Sequence, residues 1–117
     1  MLHLLVYPAQ SDRFDISFDE FAGMVSGWDG MFFEMDGSFV WVENDSPEKG
    51  QMDGMVYDRE GAIVYLDLKG AAPTAMWTRI LKLLLRFDHP VSSQELESHF
   101  KIYNVQQSSF VSLAQTF

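Results

Sequence analysis

Three features of the sequence predict an α+β fold. Two hairpin patterns, about 31–42 and 51–68, each place a Gly-containing turn between strand-like runs. One amphipathic helix, about 74–87, follows them. Strand and helix do not alternate in the manner that builds a parallel sheet, so the sheet should be antiparallel with helices gathered on it. At 117 residues, the chain is expected to form a single domain, 1–117, with a radius of gyration of about 13 Å and an accessible surface of about 6,500 Å².

The chain opens on Leu2 to Tyr7, apolar at both parities, which reads as an N-terminal strand buried on two sides. Ser17-Phe18-Asp19-Glu20 fits a capping box, a Ser cap with Glu three residues on. It should start a short helix with Phe18, Phe21, Ala22 and Val25 on one stripe, ending by Gly27. In the first hairpin, Asp36-Gly37 suits a two-residue type I′ turn. That turn would set Met35 opposite Ser38, Phe33 opposite Val40 and Met31 opposite Val42, leaving Phe32, Phe39 and Trp41 on the other face. Neither face of such a ribbon suits water.

Residues 44–50 read as a loop. In the second hairpin, Asp58-Arg59-Glu60-Gly61 suits a type I turn with a glycine bulge. The register that follows pairs Val56 with Val64, Gly54 with Leu66 and Met52 with Leu68 on a core face. Tyr57 with Ile63, Met55 with Tyr65 and Asp53 with Asp67 fall on the opposite face. The main helix carries Trp77, Ile80, Leu81 and Leu84 inward, with Met76, Leu83 and Phe87 widening the stripe, and Asp88-His89-Pro90 ends it. Ser92 and Glu95 make a second capping box, opening a short helix over 93–99 with Leu96, His99 and Phe100 inward. A strand near 102–105 and a last strand or helical turn at 110–113 complete the chain. The tail from Lys101 has two places to go: back onto the sheet or across a dimer interface.

The 17 acids and 8 bases give a net charge of -9, which argues against a nucleic-acid binder and against docking on an anionic membrane. Residues 1–70 hold 14 acids and 4 bases, whereas 71–117 hold 3 and 4. This asymmetry suits a basic partner, or a dimer that pairs the acidic region of one subunit with the helical region of the other. The second half imitates a helix-turn-helix, but Glu95 and Glu97 on its second helix would repel phosphates. With no cysteine, no thiolate chemistry or disulfide is available. The short apolar start makes a poor signal peptide, and no apolar run reaches membrane-spanning length, so a cytoplasmic protein is expected.

No nucleotide, hydrolase or metalloprotease motif is present, and no cofactor or metal is expected. The histidines, His3, His89 and His99, fall on separate elements. Two candidate sites remain. Asp53 and Asp67, if opposed, would repel or share a proton, and with Tyr57 and Tyr65 would form an acidic, aromatic ligand site. The other candidate, Trp28, Phe32 and Trp41, marks an aromatic patch that suits either the core or an interface. A chain this small has little to cover two apolar sheet faces. The leading expectation is therefore a noncatalytic module that forms a homodimer or binds a protein partner. The alternative is a small enzyme or ligand-binding protein working from the 51–68 hairpin.

Overall fold

A computed structural model describes residues 1–44, 49–86 and 92–117. The described elements are, in order, β1 (Leu2–Pro8), α1 (Phe18–Val25), β2 (Met31–Phe33), β3 (Ser38–Glu43), β4 (Gly50–Arg59), β5 (Ala62–Gly70), α2 (Thr74–Leu84), α3 (Ser93–Glu97), β6 (Phe100–Asn104), β7 (Ser109–Val111) and α4 (Leu113–Thr116). All seven strands join one antiparallel sheet in the order β2-β3-β4-β5-β1-β6-β7. The α+β class therefore holds. The tail from Lys101 returns to its own sheet as β6 and β7. The radius of gyration is 13.3 Å and the exposed surface is 6717 Å².

The helices cover one face. α1 begins at the expected cap: the Ser17 hydroxyl accepts from the Glu20 amide, and the Glu20 carboxylate accepts from the Ser17 amide. That backbone donor holds the Glu20 carboxyl below its ordinary range. Phe18, Phe21 and Val25 are buried beneath the helix. α2 buries Met76, Trp77, Ile80, Leu81, Leu83 and Leu84, each stabilising the fold by roughly 1.5–3 kcal/mol. It stops at Leu84, short of the expected 87, because Arg86 turns to a left-handed φ of 59° and its side chain pairs with Glu20. Phe87 and the Asp88-His89-Pro90 stop lie outside the described residues. So does the centre of the 44–50 loop, 45–48. Ser92 caps α3, which ends at Glu97 and gives way to a strand at Phe100.

Both hairpins form, but each has the turn expected of the other. In the first, the Gly37 amide donates to the Glu34 carbonyl and Glu34 pairs with Ser38. Of the Asp36-Gly37 pair only the glycine has positive φ, and Asp36 accepts from both the amide and the hydroxyl of Ser38. The loop is one residue longer than a type I′ turn, so the register slips by one. Met31 pairs with Trp41, Phe32 with Val40 and Phe33 with Phe39. That slip parts Phe32 from Phe39 and Trp41: the latter two are buried in the core, whereas Phe32 lies beside Val40 on the outer face.

In the second hairpin, Glu60 and Gly61 both take positive φ, as in a type I′ turn, between Arg59 and Ala62. A bulge follows, with Asp58 opposite Ile63 and Tyr57 opposite Tyr65, so that Val64 has no opposite number. The extra residue lets Ile63 and Leu66 both face the core, where each is fully buried. The expected pairs of Val56 with Val64, of Gly54 with Leu66 and of Met52 with Leu68 are replaced; Val56 now meets Leu66 and Gly54 meets Leu68. Gly54 also lies opposite Phe39, whose ring occupies the space where a Cβ would project.

Candidate functional site

The register fixes what the uncovered face carries. Three rows of outward side chains cross the strands. The first runs Phe32, Val40, Asp53, Lys69, His3. The second runs Ser38, Met55, Asp67, Leu5, Tyr103, Phe110. The third is aromatic: Tyr57 stacks on Tyr65 with ring centroids 4.4 Å apart, and Tyr65 stacks on Tyr7 at 5.2 Å. Tyr7 lies opposite Lys101. The buried side chains of the helices join the core on the other side, and no described helix packs on these rows. Phe32 at one edge is 66% exposed and Phe110 at the other is 64% exposed.

The tyrosine stack results from the bulge. The shorter turn shifts the register by one residue and the bulged Val64 by a second, so Tyr65 moves opposite Tyr57 rather than opposite Met55. Partial burial pushes the Tyr65 hydroxyl up from its ordinary pKa, and Tyr57, Tyr7 and Asp67 add to the effect. Tyr103 meets Phe110 edge-on at 5.2 Å in the row beside it.

The sequence-derived site residues separate under this register. Tyr57 and Tyr65 come together as cross-strand partners. Asp53 and Asp67 share the face but are not opposed: Asp53 faces Lys69, and Asp67 faces Met55. Asp53 accepts from the Gln51 side-chain amide at 3.0 Å, and Asp67 lies 2.6 Å from Nε2 of His3. The expected shared-proton pair is thus replaced by two carboxylates with separate partners, because the loop is one residue shorter than expected and the bulge at Val64 shifts the register by one more. Among the described residues, no group of three His, Cys, Asp or Glu side chains is placed to hold a metal ion.

The aromatic trio divides too. Trp41 is 1% exposed and belongs to the core, with its indole N–H unpaired among the described residues. Trp28 is half-buried at its edge, 5.0 Å from Trp41, with the Arg79 guanidinium 4.0 Å above its ring. Only Phe32 stands on the open face. Sequence reading missed Leu5, Tyr7, Tyr103 and Phe110. The first two have a signal, since both parities of β1 are apolar, but double burial and an open apolar face give the same pattern.

No family model matches the chain, and no curated protein or solved structure matches it. None of the described helices is long and apolar enough to cross a membrane.

Proposed function

We propose that this chain is a noncatalytic protein-interaction module and that its working surface is the open face of the sheet. One observation carries the reading: among the described residues, a seven-stranded sheet has its helices on one side, and its other side bears four tyrosines, two phenylalanines and a methionine. Aromatic residues and Met are enriched where proteins meet, and charge is depleted there. The enzymatic alternative draws on Asp53 and Asp67 as an opposed pair, a geometry the Tyr57–Tyr65 register does not supply. The interaction reading uses the tyrosines and the flanking apolar positions together.

Methionine oxidation tests it, because the chain has suitable reporters on both sides. Met55 stands on the open face, whereas Met24 is exposed on α1. In a concentrated extract of producing cells, Met55 should oxidise several-fold more slowly than in the dilute purified chain, with Met24 unchanged. Equal rates at Met55 in the two settings would refute the proposal.

A further inference from the structure

We infer that the occupant of the open face is a second copy of this chain, packed sheet against sheet in a closed two-fold pair. The inference rests on the interaction reading above and names its partner.

The first argument is size and shape. Seven strands at a spacing of about 4.8 Å make a face about 29 Å wide, and the central strands run about 30 Å. Allowing for the short edges, the face supplies on the order of 600–800 Å², close to the roughly 800 Å² per partner that a stable interface buries. A peptide strand or a small ligand would cover one row and leave two in water. A second pleated sheet covers all three, and two copies share the same twist, which allows aligned stacking at about 10 Å.

The second argument is charge. The chain carries -9, yet the strand residues of this face come close to balance: Asp53 and Asp67 are set against Lys69 and Lys101, with Glu34 beside Ser38 at the edge. A basic partner would be drawn to the acid-rich turns and to α1 rather than to this balanced surface. For two like-charged copies, by contrast, a balanced face is where approach is least opposed.

The third argument concerns closure. Both edge strands, β2 and β7, are three residues long, which disfavours growth of the sheet by edge pairing. Each edge instead presents an aromatic ring, Phe32 or Phe110, toward the open face. An isologous contact through that face uses the same patch on both copies and ends there, rather than propagating a fibre.

Light scattering and sedimentation of the purified chain from about 1 µM to about 1 mM read the result. The expected mass at the upper end is twice the 13.4 kDa of one chain. Tyr65→Arg, at the centre of the face, should weaken the pair about 30-fold or more. Phe110→Asp should also weaken it; at an exposed edge position it leaves the core untouched and guards against Tyr65→Arg simply failing to fold. Met24→Lys on the helix side should leave the mass unchanged. A monomer throughout the range would overturn the second copy, while protection of Met55 in extract would still uphold the interaction module. A pair that survives Tyr65→Arg and Phe110→Asp, or one broken by Met24→Lys, would place the contact elsewhere and overturn the inference. Open-ended polymer would overturn the closed two-fold.

Discussion

Gly54 shows how one residue without a side chain organises its neighbourhood. It lies on the core side of β4, directly opposite Phe39, and the Phe39 ring fills the space over it. A ring laid over a strand glycine recovers the packing that the missing side chain gives up. Phe39 in turn stacks on Phe33 at 6.0 Å, and Phe33 touches the α1 residues Phe18 and Phe21. Gly54→Val would push the Phe39 ring away and disturb this chain of contacts. A loss of roughly 1–3 kcal/mol in denaturant unfolding is expected. An unchanged midpoint would show that the ring has somewhere else to go. None of this is legible in the sequence, where Asp53-Gly54-Met55 reads as an ordinary weak point in a strand.

At the scale of the element, the readable and unreadable parts separate cleanly. Helix starts were legible because a cap is local: Ser17 and Ser92 each bind the amide three residues on, as their spacing implies. The stripe of α2 was legible because burial follows a period of 3.6 residues, and its inward residues are those that the period selects. Turn type was not, because Asp36-Gly37 and Asp58 to Gly61 are each compatible with more than one loop length. The choice is made by tertiary bonds. The Gly37 carbonyl accepts from the Val56 amide, and the Gly61 carbonyl accepts from the Phe18 amide. Each turn is therefore held by an element distant in sequence. A one-residue difference in the loop moved Phe32 from the face of Phe39 and Trp41 to the face of Val40, which parted Phe32 from Trp41, its partner in the expected aromatic patch.

The Val64 bulge is the element that joins core and open face. It lets Ile63 and Leu66 point inward while Tyr65 points outward beside Tyr57. Deleting Val64 would force regular alternation on β5. Either Ile63 leaves the core or Tyr65 enters it. The expected cost is about 2–5 kcal/mol, the scale of losing a buried aliphatic side chain, together with loss of the tyrosine stack. Val64→Ala keeps the extra residue and should cost far less. Chemical denaturation read beside near-ultraviolet tyrosine dichroism distinguishes them. Equal effects of deletion and alanine would mean that the side chain of Val64, rather than its place in the backbone, matters.

For the whole molecule, the -9 net charge and the balanced open face pull in opposite directions, and salt reveals which partner the face has. Two copies repel at long range even when the touching surfaces are balanced. Raising ionic strength from about 10 mM to about 150 mM shortens the screening length from about 30 Å to about 8 Å, which removes much of that repulsion. Association between two copies should therefore tighten with salt, at least about threefold over this interval, mainly through faster encounter. Attraction to a basic partner has the opposite sign and should weaken over the same interval. Neither trend depends on the core, since the charges involved are exposed and unfolding is monitored separately. Sedimentation at fixed protein concentration across the salt series gives the sign directly. A weight-average mass that falls as salt rises would mean that opposite charges hold the complex together, which the near-neutral rows of the sheet face cannot supply.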